Sequence, residues 1–85
     1  MWQLEYTDRA LVALQRMPAD RARLISRKLE QLAIDPRRPN NNVKALKGRP
    51  GYRLRVGDWR VIYELRHGKL IVLVLDIGPR GGIYD

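Results

Sequence analysis

Apolar and polar residues alternate through Tyr52-Arg53-Leu54-Arg55-Val56 and through Trp59-Arg60-Val61-Ile62-Tyr63, on either side of Gly57-Asp58. Alternation with a period of two predicts half-buried strands, and the Gly-Asp pair between them predicts a two-residue hairpin turn. That register sets Val56 against Trp59, Arg55 against Arg60, Leu54 against Val61 and Arg53 against Ile62. Leu54, Val56, Trp59 and Val61 then share one face, with Arg53, Arg55 and Arg60 on the other. Upstream, Trp2, Leu4 and Tyr6 alternate with Gln3 and Glu5, as in a short strand. Thr7 is placed to cap a helix, with Asp8 favourable in its first turn. Leu11, Leu14 and Met17 recur at helical spacing until Pro18 ends that helix. Ala19 or Asp20 opens a second helix running to about Ala33, with Ile25, Leu29 and Leu32 as its apolar stripe.

Residues 35–42, with two prolines and three asparagines, read as a loop. Val43 to Leu46 is too short to assign, and Gly48 through Gly51 turns the chain into the hairpin. Beyond Arg66, His67-Gly68 predicts a second two-residue turn. Lys69 to Ile77 follows as a strand apolar on both faces and therefore central in its sheet. The order strand, helix, helix, then three strands predicts an α+β domain. An N-terminal strand and a two-helix hairpin pack on a mainly antiparallel sheet (β-α-α-β-β-β), the helices covering one face and the open face carrying exposed Ile62, Ile71, Leu73 and Leu75 beside the arginines. With 85 residues, the chain has room for one domain, residues 1–85.

Composition narrows the chemistry. The sequence has no cysteine, which excludes disulfides, thiolate metal sites and thiol nucleophiles and suits a reducing cytoplasm. The first residues lack the basic and apolar regions of a signal peptide. The longest apolar run, Leu70 to Leu75, is about a third of a membrane-spanning length. A cytoplasmic domain with no membrane contact is expected.

The formal net charge is +8. Arg37, Arg38, Lys44, Lys47, Arg49, Arg53, Arg55 and Arg60 fall in one segment with Asp58 as its only acid. Such clustering points to a polyanionic partner, nucleic acid first, and makes Arg37, Arg38, Lys44, Lys47 and Arg49 candidate RNA-binding residues. Arg55 opposite Arg60 is informative in itself, because like charges across a strand pair cost up to about 1 kcal/mol. An anion held between them reverses the sign, and phosphate matches the planar guanidinium fork. With His67-Gly68 as the turn, Leu75 faces Arg60, and Arg80 and Tyr84 follow near the same end of the sheet.

Arg53, Arg55, Arg60, Arg80 and Tyr84 are therefore the candidate catalytic residues. Four guanidiniums and a phenol suit cleavage of an RNA phosphodiester by its own 2′-hydroxyl, stabilising the anionic transition state and stacking a base. Arginine stays protonated and is a poor acid or base. His67, the only histidine, lies at the far turn, about 20 Å from Arg60 at the strand rise. Glu64 is expected to pair with an arginine, leaving Tyr84 and the carboxylates of Asp85 as proton handlers. No metal-ligand spacing and no cofactor motif occurs, so neither is expected.

Leu46-Lys47-Gly48, the block from Tyr52 to Tyr63, Ile77-Gly78-Pro79-Arg80 and Ile83-Tyr84 resemble the RelE/ParE superfamily of toxins from type II toxin–antitoxin systems, on the RelE side. The resemblance implies a RelE-like toxin fold and cleavage of mRNA in the ribosomal A site, which inhibits translation. It also implies a cognate antitoxin that wraps the toxin in a hetero-oligomer. The family's basic catalytic positions fall on Arg53, Arg55, Arg60 and Arg80, and its functional tyrosine on Tyr84. Two departures weaken acid–base catalysis while leaving phosphate binding intact. Arg53 and Arg55 stand where some relatives have lysine, and Pro79 stands where many have His or Lys. Two alternatives share the fold: a ParE-like inhibitor of DNA gyrase that cuts nothing, and a non-catalytic basic RNA-binding module.

Overall fold

The computed structural model of the chain describes residues 1–80. Its elements are β1 (Gln3–Tyr6), α1 (Asp8–Arg16), α2 (Ala19–Ile34), β2 (Val43–Ala45), β3 (Tyr52–Val56), β4 (Trp59–Arg66) and β5 (Ile71–Pro79), with a 3-10 turn at His67–Lys69. The five strands form one sheet in the order β1-β5-β4-β3-β2. Strand β1 pairs parallel to β5, and the other pairings are antiparallel. The expected α+β architecture is present with one strand more than the sequence order predicted. The unassigned stretch after Val43 adds to the edge of β3, with Val43 opposite Leu54 and Lys44 opposite Arg53.

Local chemistry explains the joints. Thr7 caps α1, accepting from the Ala10 amide at 3.2 Å, and its hydroxyl donates to the Leu75 carbonyl at 2.6 Å. One hydroxyl thus fastens the helix start to the sheet at the point where the β4–β5 pairing is irregular. Gly57 has φ +57° at the first position of the β3–β4 turn, the conformation a tight hairpin turn reserves for glycine. Gly51 has φ +114°, and a Cβ there would lie 2.9 Å from the Tyr63 carbonyl oxygen. The backbone therefore passes close under β4 before entering β3, which only glycine permits.

The core lies between the helices and one sheet face. Ile25, Leu29, Leu32 and Ala33 of α2 and Ala10 of α1 pack with Leu54, Val56, Val61, Tyr63, Val72, Val74 and Ile77. The α2 stripe is as predicted. On α1 the stripe is shifted: Ala10 is buried, whereas Leu11 is 43% exposed. Leu11 follows the helical spacing but sits one position past the face that meets β5, because the N-cap at Thr7 fixes the rotation of the helix.

Three further expectations are corrected. The turn after β4 is longer than the pair His67-Gly68, since the 3-10 turn is followed by Leu70 in the left-handed conformation at φ +54°. Arg66 consequently faces Ile71, and Arg60 faces Gly78 rather than Leu75. Ile62, expected on an open face, is fully buried, and Arg60 is only 8% exposed. Both lie on β4, the middle strand of the sheet, where neighbouring strands wall each side chain on both sides. Ile71, Leu73 and Leu75, expected to be exposed there, are half-buried.

Candidate functional site

The hairpin forms in the predicted register, with Arg55 opposite Arg60, Leu54 opposite Val61 and Arg53 opposite Ile62. Cross-strand pairing puts Lys44, Arg53, Arg55 and Arg60 on the sheet face away from the helices. Arg80 joins this end of the sheet through its backbone: its amide donates to the Asp58 carbonyl at 2.6 Å, and Pro79 pairs with Trp59. Arg55, Arg60 and Arg80 therefore converge on the Gly57-Asp58 turn. Arg53 stands one pleat back along β3 on the same face. Tyr84 lies outside the described residues.

Burial divides the set. Arg55 and Arg80 are exposed, Arg53 is half-buried and Arg60 is buried. The Arg60 guanidinium folds back over the turn, donating to the carbonyls of Trp59 at 3.3 Å and Gly57 at 3.5 Å. The Arg55 backbone amide donates to the Asn42 carbonyl at 2.8 Å, and its guanidinium donates to Asn42 Oδ1 at 3.3 Å. A loop asparagine that the sequence reading passed over thus orients an arginine of the cluster. Nothing in the local sequence marks that role, which depends on the loop running beside β3. On this face, a charge sitting partly out of water attracts an anion more strongly than the same charge in bulk solvent. The exposed guanidinium of Arg55 is open to a phosphate, with the buried charge of Arg60 on the neighbouring strand adding to the attraction.

The other expected RNA-binding residues are dispersed. Lys44 is exposed on β2, beside Arg53. Arg37 places its guanidinium over the Trp2 ring, 5.8 Å from its centre, with His67 packed edge-on against the same ring at 5.5 Å. That stack braces the amino terminus, whose Trp2 amide donates to the Ala33 carbonyl at 2.8 Å. Lys47 and Arg49 are exposed in the bend before β3, toward the His67 end of the sheet. Arg38 is exposed in the loop after α2.

Asp58, exposed in the turn itself, is the one carboxylate beside the arginine cluster among the described residues. Glu64 pairs with Arg66 at 3.0 Å, on the His67 side. Asp76 pairs with Arg9 of α1 at 3.0 Å and accepts from the Ile77 amide at 2.8 Å. Two phenols have raised pKa values: Tyr6 through burial and then the charge of Glu30, and Tyr63 through burial and then its neighbour Tyr52. Neither belongs to the cluster. Such an arrangement can hold and polarise an anion of the size of a phosphodiester.

Residues 4–84 match the family model described as ParE toxin of type II toxin–antitoxin system, parDE. Comparison with curated proteins gives no match. Among solved structures, the archaeal RelE–RelB complex from Pyrococcus horikoshii is similar at TM-score 0.80 and 28% identity, covering 96% of this chain and 98% of that one. The intact Escherichia coli RelBE toxin–antitoxin complex is similar at TM-score 0.80 and 23% identity, covering 93% and 96%. The RelBE2 toxin–antitoxin complex of Mycobacterium tuberculosis is similar at TM-score 0.80 and 20% identity, covering 93% and 98%.

Proposed function

The chain belongs to the family of ParE toxins of type II toxin–antitoxin systems, and from its arginine cluster we propose that it is a RelE-like endoribonuclease that cleaves mRNA in the ribosomal A site. The observation that carries this reading is the convergence of Arg55, Arg60 and Arg80 on one hairpin turn. Like charges on paired strands cost stability, whereas a phosphodiester beside them is held by charge-assisted hydrogen bonds. In the proposed reaction the 2′-hydroxyl of the substrate attacks the adjacent phosphorus and the P–O5′ bond breaks. The products are a 2′,3′-cyclic phosphate and a 5′-hydroxyl. Negative charge builds on the phosphoryl oxygens at the transition state, where fixed guanidiniums act most strongly. Tyr84 is assigned to stack on a base or to move a proton. The reaction takes place in the cytoplasm and needs no metal or cofactor. An antitoxin opposes it by covering the basic face with acidic and apolar residues in a hetero-oligomer.

One observation favours a second reading, a non-catalytic basic RNA-binding module that cuts nothing. The cluster is built from arginines, which stay protonated, and Pro79 stands immediately before Arg80, so phosphate binding needs no proton transfer there. The two readings separate on programmed ribosomes. Arg80→Ala is the cleaner variant because Arg80 is exposed, so the fold does not depend on its side chain. Cleavage should slow by about two to three orders of magnitude, the scale for removing one transition-state donor. Comparing Tyr84→Phe with Tyr84→Ala then separates the hydroxyl from the ring. Wild-type protein that arrests growth yet leaves ribosome-bound mRNA intact would overturn the nuclease reading and make gyrase the next assay.

A further inference from the structure

A second group of polar side chains lies beside the arginine cluster. The C-terminal half of α2, the loop after it and the end of β3 enclose a groove of about 610 Å³. Lys28, Arg38, Arg55 and the consecutive asparagines Asn40, Asn41 and Asn42 line it, with Asp35 as the one carboxylate. Its apolar floor includes Leu32 and Leu54, both buried in the core. Lys28, Arg38, Asn40 and Asn41 are exposed. The loop is shaped by its own chain, since the Asn42 amide donates to Asn40 Oδ1 at 2.9 Å and the Val43 amide to the Asn40 carbonyl at 3.1 Å.

The groove and the cluster share a residue. Arg55 lines the groove, is held by Asn42 through backbone and side chain, and faces Arg60 across the hairpin. A polyanion gripped between Arg55 and Arg60 has a continuous basic path round the sheet edge toward Arg38 and Lys28. Carboxamides add what cations lack, because each presents a donor and an acceptor side by side, the pattern on the edge of an unpaired base. An acidic peptide would engage the same cations, and the polyglutamate titration below separates it from RNA.

Resting on the mRNA-cleavage reading, we propose that this groove is a subsite for single-stranded RNA adjoining the scissile phosphate. Lys28 and Arg38 take backbone phosphates, and Asn40 and Asn41 take a base edge. Asn42 is a positioning residue that fixes Arg55 at the junction.

The test needs no cleavage. A fluorescein-labelled 2′-O-methyl hexanucleotide, which lacks the attacking hydroxyl, is titrated with the full chain from about 50 to 200 mM salt, and anisotropy is read. Lys28→Ala and Arg38→Ala should each weaken binding about 3- to 10-fold at low salt. Each should also flatten the log–log salt slope by about 0.7, the single-strand value per phosphate contact. Asn41→Ala should weaken binding with the slope unchanged. On ribosomes the same variants should lower kcat/KM and spare kcat, as expected for uniform binding. Variants that keep wild-type affinity and slope overturn the subsite. It is also overturned if a polyglutamate peptide binds, loses affinity in these variants, and the oligonucleotide does not. Wild-type protein that cuts no mRNA, with oligonucleotide binding still lost in the variants, supports the groove as an RNA site and overturns only the cleavage reading.

Discussion

Removing one oxygen atom from the core should make this protein more stable. Tyr63 is fully buried, stacks on Tyr52 with ring centres 5.5 Å apart and 24° between planes, and its hydroxyl has no hydrogen-bond partner among the described residues. Burying a hydroxyl without compensation costs about 1–3 kcal/mol in mutational series. Tyr63→Phe deletes that cost and keeps the ring and its stack. The expected gain is about 1 kcal/mol at neutral pH, or about 4–8 °C in Tm for a domain of this size. The gain should depend on pH. Burial, and then Tyr52, raises the Tyr63 pKa above its ordinary value of 10.0. The unfolded chain therefore loses this proton first, so the stability that Tyr63 contributes is complete below about pH 10 and falls as pH rises further. One proton changes stability by about 1.4 kcal/mol per pH unit in that window. Phenylalanine has no proton to lose, so the gap between variant and wild type should widen above about pH 10. Tyr6, also raised by burial and then Glu30, is common to both proteins and cancels in the comparison. Urea denaturation from pH 7 to 11 reads this directly, with the slope m held constant as the check on two-state behaviour. A variant less stable than wild type at pH 7, with a gap that stays flat to pH 11, would show that the hydroxyl has a net favourable partner and refute the reasoning.

Two more substitutions probe the frame of the site. Leu29→Ala, at a fully buried position on α2, should cost about 2–5 kcal/mol through lost burial and a residual cavity, measured as a lower denaturation midpoint. A loss under about 1 kcal/mol would mean that the helix does not pack as described. Leu70→Asn should raise stability by a few tenths to about 1 kcal/mol, read as a higher Tm, because asparagine tolerates the left-handed conformation that Leu70 adopts at φ +54° and the leucine side chain is 51% exposed. A fall in Tm would show that the leucine is held by packing.

The hairpin was legible because everything that fixes it is local. Alternation names the faces, and Gly57 is the residue its turn demands. The α2 stripe was legible for the same reason. What alternation cannot give is depth. It assigned Arg60 to the face away from the helices, and the middle position of β4 in the sheet then closed that side chain to 8% exposure. The buried position changes how Arg60→Ala reads, since part of any loss would come from the packed stem of the arginine. Val43–Ala45 was illegible because a three-residue edge strand has too few side chains to show a period, and its register comes from β3.

The second turn misled for a physical reason that bears on the site. Gly68 looks like the turn residue, yet the left-handed position is taken by Leu70, which no propensity argument would choose. That lengthens the turn and moves the partner of Arg66 from Lys69 to Ile71. The irregularity between Ile62 and Tyr63 absorbs one further residue on β5, at Leu75, whose carbonyl Thr7 secures. Together they carry Gly78, in place of Leu75, opposite Arg60. Had Leu75 been the partner, Arg80 would lie five residues beyond it, about 16 Å along the strand at the usual rise. With Gly78 as the partner it lies two residues beyond, about 7 Å, where its amide meets the Asp58 carbonyl. A left-handed leucine and a bulge thus decide whether Arg80 is carried to the turn that Arg55 and Arg60 flank, and neither is written in the arginines themselves.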